Sequence, residues 1–329
     1  MQMIRRFHGA VAVAFAALAL VLASPFAFAQ AEWPAKPVRI IVPYTPGGFT
    51  DVTARIVAQR LQDRLKQPFT IDNKPGANGI VGTEALAKSA PDGYTFVLVI
   101  AAFSSSPSLY AKLPYDSRKD FMPVSLVGIS PLVAAVNNDM PIKNAKELVA
   151  YAKANPGKIS FGSSGNGAAA HLTTELFKSM TGVDMVHIPY KGTAGAMADL
   201  LGGRIQLLFD SASGIIPNGK AGKIRMIGIS ADQRLPAAPD VPTFIEQGFA
   251  GFTGSTWAGL LAPAGTPQEI VRKLSTEVAA VVRMEEVKKA FDELGIVPVG
   301  NTPAEFDAFI VGEMEKWGKV IREAKVKAE

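Results

Sequence analysis

The stretch Arg39-Ile40-Ile41-Val42-Pro43-Tyr44-Thr45-Pro46-Gly47-Gly48-Phe49-Thr50-Asp51 decides the fold. A buried-strand pattern runs straight into a Pro-Gly-Gly turn and then into an amphipathic helix. The two glycines let the backbone approach a ligand closely, and the helix start offers unpaired N–H groups with a partial positive charge. The reading predicts an anion-binding element built from backbone. A second glycine-rich strand-to-helix turn follows at Phe161-Gly162-Ser163-Ser164-Gly165-Asn166-Gly167. On separate sheets, two such turns would face each other across a cleft.

Working outward, strand and helix patterns alternate along the chain. Strands are expected at 38–42, 69–73, 95–100, 158–162, 185–188, 205–209, 225–230 and 257–262. A helix is expected over 52–65, with Ala54, Val57, Ala58, Leu61 and Leu65 on its buried face, and another over 80–88. Asn144-xx-Glu147, Thr266-Pro267-Gln268-Glu269 and Thr302-Pro303-Ala304-Glu305 read as capping boxes. This alternation predicts parallel sheets covered by helices. The β-rich segments 124–136 and 252–261 read as crossings between two domains. That places 32–127 with 257–329 in domain 1 and inserts 128–256 as domain 2. Ligands of such sheets bind outside the carboxyl ends of the strands, where both glycine turns lie.

Residues 1–29 have the layout of a signal peptide: Arg5 and Arg6, an apolar run from Ala10 to Ala23, and Ala27-Phe28-Ala29 as a small-residue cleavage site. The expectation is export with the leader removed. The formal net charge of +5 would then fall to +3, because two arginines and no acid leave with the leader. A mildly basic chain without a Lys/Arg cluster argues against nucleic acid as partner. The chain contains no cysteine, so disulfides, thiolate metal sites and a lipid-anchored start are excluded.

Three motifs approach known chemistry and depart from it. Gly165-Asn166-Gly167-Ala168-Ala169-Ala170 fits a dinucleotide turn, but Asp184 precedes the next strand where an acid should end it. The segment from Gly214 to Ala221 resembles a phosphate loop, yet Ala221 stands where a magnesium-binding hydroxyl belongs. His171 and Glu175 lie one helical turn apart without an evident third ligand, which reads as a helix-surface pair. Ser163-Ser164 lacks the nucleophile-elbow pattern, and His171 and His187 are the only histidines beyond the leader. No cofactor and no metal are expected. Asp51 is expected to cap the helix at Val52. Asp210 reads either as a helix cap or as an acceptor for a polar substituent of a ligand, and Pro189-Tyr190-Lys191-Gly192-Thr193 forms a further loop at a sheet end.

These residues resemble a known family. Trp33-Pro34-Ala35-Lys36-Pro37-Val38-Arg39, Pro46-Gly47-Gly48-Phe49-Thr50-Asp51, Asn73-Lys74-Pro75-Gly76-Ala77-Asn78-Gly79 and Pro91-Asp92-Gly93-Tyr94-Thr95 come first. Gly162-Ser163-Ser164-Gly165-Asn166-Gly167 with His171, Pro189-Tyr190-Lys191-Gly192, Asp240-Val241-Pro242-Thr243 and the segment from Gly259 to Pro267 follow in order. The chain is similar throughout to periplasmic receptors of the tripartite tricarboxylate transporter family, the Bug receptors.

The resemblance implies an α/β, two-domain clamshell of the periplasmic-binding-protein type. Each domain would be a mostly parallel sheet flanked by helices, closing on a small carboxylate held by backbone amides, water and hydroxyls. The implied ligand-binding residues are Tyr44, Pro46, Gly47, Gly48, Phe49 and Thr50 on the first turn, with Ala102 and Phe103 beside it. Ser163, Ser164, Gly165, Asn166, Gly167 and His171 would line the opposite wall, with Tyr190, Lys191, Gly192 and Asp210. Phe49 and the Ala101-Ala102-Phe103 loop stand where relatives tend to place polar groups, which predicts an aromatic or apolar-bodied carboxylate. The implied partner is a membrane transporter or the outer domain of a sensor kinase, and the receptor is expected to be a monomer. The alternative from another class is a secreted α/β hydrolase acting on carboxylate esters.

Overall fold

The computed structural model describes residues 32–190 and 192–328. The expected signal peptide therefore lies outside the described residues, as does Lys191. Ten strands form one curled sheet in the order β2-β1-β3-β9-β4-β7-β5-β6, with β8 and β10 also paired to β4. The first flank is parallel: β1 (Val38–Val42) lies between β2 (Phe69–Asn73) and β3 (Thr95–Ile100). The other flank is parallel as well, with β5 (Ser160–Ser163) between β6 (Val186–Pro189) and β7 (Leu207–Ser211).

The centre departs from the expected parallel arrangement. There β4 (Phe121–Val136) and β9 (Ser255–Pro263) run antiparallel to each other and to their neighbours. The reason is topological, since an outgoing and a returning strand laid side by side must run in opposite directions. Pairing of β4 with β9 extends to Pro131, and from Leu132 onward β4 pairs with β7. From Val133 it also pairs with β8 (Arg225–Ile229), while near Gly128 it holds the short β10 (Val297–Pro298). Register shifts between Pro123 and Ser125, and between Leu126 and Gly128, mark bulges that add twist along this strand.

Helices cover both flanks. The helix after β1, α1 (Phe49–Leu65), buries Ala54, Val57, Ala58 and Leu61 as its periodicity requires. The helix α2 (Ile80–Ala87) follows β2, and α3 (Ala102–Leu109) follows β3. The second flank carries α4 (Ala145–Ala154), α5 (Ala169–Thr181), α6 (Thr193–Leu201) and α7 (Ala212–Lys220). The chain ends with α8 (Gln268–Val282), α9 (Glu285–Glu293) and α10 (Pro303–Glu323). Among the described residues no helix is long and apolar enough to cross a membrane.

The core divides with the sheet. One cluster centres on Phe177, Phe209, Phe244 and Phe252, whose rings meet edge-on or tilted at centroid distances of 4.8–6.2 Å for most pairs. Another gathers Val97, Phe103, Tyr115, Phe121, Trp257 and Phe306 on the first flank. A smaller cluster is shared between flanks: Leu109 of α3 and Leu172 of α5 pack with Trp317, Val320 and Ile321 of α10.

Two of the three expected caps form. The Thr302 hydroxyl accepts from the Glu305 amide, and Glu305 returns a bond to the Thr302 amide, completing the box. Asn144 accepts from the Glu147 amide, while the Glu147 carboxylate accepts from Lys143. At the third, Thr266 instead donates its hydroxyl to the Pro263 carbonyl, and the helix begins at Gln268 with no side-chain cap. The turn consumes the hydroxyl that the pattern assigned to the helix.

Candidate functional site

The first glycine turn is held from beneath by one carboxylate. Asp51 is almost wholly buried (3 % exposed), and its Oδ2 accepts the Gly47 amide at 2.9 Å. Arg55 grips both Asp51 oxygens, with Nε on Oδ2 at 2.9 Å and a terminal nitrogen on Oδ1 at 3.0 Å. The Asn73 amide nitrogen donates to Asp51 Oδ1 at 2.9 Å and to the Tyr44 carbonyl at 3.0 Å. Burial disfavours the charged carboxylate, yet the Arg55 bonds, the Gly47 amide and Asn73 outweigh it and hold Asp51 below the ordinary range.

This geometry corrects the expected cap. The helix begins at Phe49, three residues earlier than the pattern suggested, and Asp51 reaches back from its first turn to the loop. Gly48 is the N-cap at φ −81° and ψ 173°, ordinary extended backbone, and the left-handed residue is Gly47 at φ +84°. The first bonded amide of the helix is that of Val52, on the Gly48 carbonyl at 3.0 Å. Gly48, Phe49 and Thr50 keep their amides at a helix start with no side-chain cap, and Pro46, Gly47 and Gly48 are exposed. With the charge of Asp51 matched by Arg55, the turn can present N–H groups and helix dipole to an anion without a competing negative charge.

The second turn is built differently. Ser163 ends β5, and its buried Oγ lies 2.6 Å from His187 Nε2 while accepting the Gly165 amide at 3.2 Å. The Gly167 amide donates to His171 Nδ1 at 3.2 Å. The two imidazoles stack at 3.7 Å between centroids, and His187 stacks in turn on Phe161 at 4.9 Å. Burial, the neighbouring imidazole and Lys178 push His171 down to about 3, and burial with Lys178 pushes His187 down to about 4. Both rings are therefore neutral at neutral pH. His171 is buried and lies 4.0 Å from Glu175, so the pair is not on the helix surface. Among the described residues no group of three is placed to hold a metal ion.

The tip of this turn reaches the first flank. Asn78 donates from its side-chain amide to the Asn166 carbonyl at 3.3 Å, and Ser105 donates to the Gly167 carbonyl at 3.0 Å. Gly167 (φ +72°) sits so close to Leu109 that a Cβ there would lie 2.2 Å from Cδ2. Ser164 and Asn166 are half-buried.

The other expected site residues each make contacts of their own. Ala101-Ala102-Phe103 is not a loop: Ala102 opens α3, and its carbonyl accepts the hydroxyls of Ser105 and Ser106. The Phe103 ring is 4 % exposed and packs on Tyr115 and Phe121, at 6.5 and 5.6 Å, in the core. Phe49 is half-buried at the first turn. The Tyr44 hydroxyl donates to the Asn78 carbonyl at 3.2 Å, and that of Tyr190 to Asp199 at 2.6 Å. Asp210 lies within β7, accepting from Thr193 Oγ1 at 2.7 Å and from the Ser211 amide at 2.6 Å. Burial raises its pKa, partly opposed by those bonds. It ties the start of α6, after Gly192 (φ +122°), to the sheet. The partners that pattern reading missed are Arg55, Asn73, Asn78, Ser105, His187 and Thr193. Of these, Asn73, Asn78 and Thr193 lie inside quoted segments and His187 was named only as a histidine beyond the leader, while Arg55 and Ser105 carry no local signal.

The comparisons agree on one family. Residues 53–326 match the family model described as the tripartite tricarboxylate transporter family receptor. Protein BugT of Bordetella pertussis is 39% identical over 300 residues, covering 90% of this chain and 91% of that protein. Rpa4515 of R. palustris, solved with adipate, shares 35% identity and a TM-score of 0.86 over 91% of this chain and 100% of its own. MatC of Rhodopseudomonas palustris, solved with malate, shares 30% identity and a TM-score of 0.80 over 88% of this chain and 100% of its own. With its α/β fold, the chain belongs to the tripartite tricarboxylate transporter receptor family, the Bug family of periplasmic solute-binding proteins.

Proposed function

We propose that this chain captures a small carboxylate in the periplasm and delivers it to a tripartite tricarboxylate-type transporter or a sensor. The observation that carries the reading is the open start of α1. Three successive amides, of Gly48, Phe49 and Thr50, stand at a helix N-terminus whose nearby carboxylate is already matched by Arg55. Adipate and malate in the two solved relatives support a carboxylate as the class of ligand. The lobes would be 32–127 with 257–329 and 128–256; the change of partners along β4 supports a division in that region. Export would remove residues 1–29.

The ligand leaves unchanged in this reading. The 2.6 Å contact between Ser163 and His187 has the spacing of a nucleophile and its base. Ser163 is wholly buried, however, so no ester carbonyl has a path to Oγ. With Phe103 in the core, the preference for an apolar-bodied ligand rests on Phe49 alone. Calorimetry with adipate, benzoate and malate, followed by recovery of each compound, tests the proposal. Saturable binding with the compound returned intact is expected. Failure of every carboxylate to bind, or release of a cleaved product, defeats it.

A further inference from the structure

We infer that His171 is the positioning residue of the second turn: through its Nδ1 lone pair it fixes the direction in which the turn's amides face, without touching the ligand itself. The inference rests on the proposed carboxylate receptor and adds how the second wall of its site is held.

Along the turn, amides held by side chains alternate with amides left open. Ser163 Oγ takes the Gly165 amide and His171 Nδ1 takes that of Gly167, each at 3.2 Å. Among the described residues nothing accepts from the Ser164 and Asn166 amides, and α5 starts after Ala168 with no side-chain cap. A trans peptide sends its N–H and C=O in opposite directions, so the carbonyls tell where the open amides point. The Ser163 carbonyl accepts the Tyr190 amide at 3.0 Å, and the Ser164 amide therefore faces away from Tyr190. The Gly165 carbonyl turns into the loop, to Ser163 Oγ at 3.0 Å and the Ala168 amide at 3.2 Å, so the Asn166 amide turns out of it.

The next peptide is the one that His171 controls. With the Gly167 amide on Nδ1, the Asn166 carbonyl is sent toward the Asn78 side chain. Gly165 and Gly167 have φ of +137° and +72°, and glycine lets such a peptide turn over. Without an acceptor at position 171 that peptide would be free to swing its carbonyl toward the side the open amides serve. An oxygen there repels a carboxylate.

Three features suit His171 to the task. Its ring is 6 % exposed, so it acts through the backbone. It stacks on His187 at 3.7 Å with 15° between the planes, and Ser163 Oγ holds His187 at 2.6 Å, which makes the two anchors one unit. The lone pair on Nδ1 requires the ring proton on Nε2. The charged groups beside the ring, Glu175 at 4.0 Å and Lys178, pair with each other at 2.8 Å, and His187 is neutral. None of them draws a second proton onto Nδ1.

The test begins with the parent chain. Nitrogen NMR of the imidazoles at pH 7 should show His171 protonated on Nε2 and bare on Nδ1. A proton on Nδ1 overturns the inference, because that atom could not then accept the Gly167 amide. His171→Leu and His171→Asn are next compared by calorimetry with adipate, benzoate and malate, and by thermal melts. Leucine fills the volume with no acceptor, whereas asparagine carries an amide oxygen near the place of Nδ1. Both variants lose the stack, so both should melt below the parent. Positioning predicts a split in affinity: His171→Leu should bind about tenfold more weakly, and His171→Asn should recover most of that loss. Parent affinity in His171→Leu, or equal loss in both variants, overturns the inference and leaves the ring a packing residue. If His171→Leu fails to fold, the tautomer and the His171→Asn affinity decide, and a loss of about tenfold in His171→Asn overturns it. A parent chain that binds none of the three carboxylates defeats the receptor reading instead, and the tautomer still decides whether His171 holds the amide.

Discussion

The two glycine turns occupy equivalent places, each between a parallel strand and a helix, and they are held by opposite chemistry. The first is organised by an ion pair, Asp51 with Arg55, and leads into a helix start with no side-chain cap. The second is organised by two stacked neutral imidazoles and a serine, and two of its amides end on those side chains. No heavy atom lies within 4 Å of a Cβ placed on Gly47, whereas one on Gly167 would run into Leu109. A glycine-rich turn after a strand can therefore be supported by unrelated side-chain chemistry.

The sharpest way to break this contrast is Gly167→Ala. A methyl group 2.2 Å from Leu109 Cδ2, on a backbone at φ +72°, should cost on the order of 3 kcal/mol of stability from overpacking and strain together. A denaturant midpoint close to that of the parent would show that the second turn is not a packed contact.

Acid separates the turns next. The folded pKa values of the imidazoles lie below the ordinary 6.5, so the unfolded chain takes up protons first as pH falls. Their stabilisation is complete above 6.5 and is lost as pH falls from there toward about 4 and about 3. At pH 5 one such imidazole should cost about 2 kcal/mol. Asp51, lowered from 3.8, keeps its contribution until pH falls below that value. Thermal melts from pH 7 to 4 on the parent and on His187→Asn should show a shallower slope in the variant, and equal slopes would refute the assignment.

Arg55→Met should cost about 1.5 kcal/mol, because it leaves Asp51 buried with its strongest partner gone while Gly47 and Asn73 still bond it. The same variant should weaken adipate binding, since the uncompensated carboxylate then faces the anion. Calorimetry showing full affinity would exclude any role for the ion pair at the turn.

Smallest in its effect on folding is Gly48→Val. The residue has ordinary φ and a Cβ there would meet only the Thr45 carbonyl oxygen, at 3.9 Å, so stability should hold within about 0.5 kcal/mol, apart from the stiffness of the branched side chain. Adipate affinity should nevertheless fall about tenfold as the side chain blocks approach to the amides. Unaltered affinity would reduce the first turn to a connector.

Much of the fold was legible because the strands carry dense apolar runs. Val38–Val42, Phe69–Asn73 and Thr95–Ile100 stand where alternation and flanking turns place them. The start of α1 was misread because Gly48 caps it through backbone alone, leaving no side-chain signal. The helix α3 was missed because four serines and Pro107 look like a loop, although Ser106 satisfies its hydroxyl on the Ala102 carbonyl. In the site, the glycine turns could be read and their partners could not. His187 lies 24 residues from Ser163, Asn73 lies 22 from Asp51, and Asn78 lies 88 from Asn166. Those separations are closed by the sheet order, which no local pattern encodes. The half-buried Phe49 and core Phe103 were indistinguishable as letters, and only the packing on Tyr115 and Phe121 tells them apart.

The long strand β4 bears on how such a molecule moves. It is hydrogen-bonded to β9 along its first part and to β7 and β8 along its last, with no break at the hand-over near Pro131. Rotation of one flank against the other has to be taken up as torsion distributed along a bonded ribbon, not as free swinging about a loose tether. Such a ribbon behaves as a spring: it limits the angle reached, guides the halves along one path and returns them when the load is gone. The bulges beside Pro123 and Gly128, where the ladder is interrupted, would be the compliant points of that spring. Altering the residues there would tune the rate of recoil without touching any group that meets a ligand.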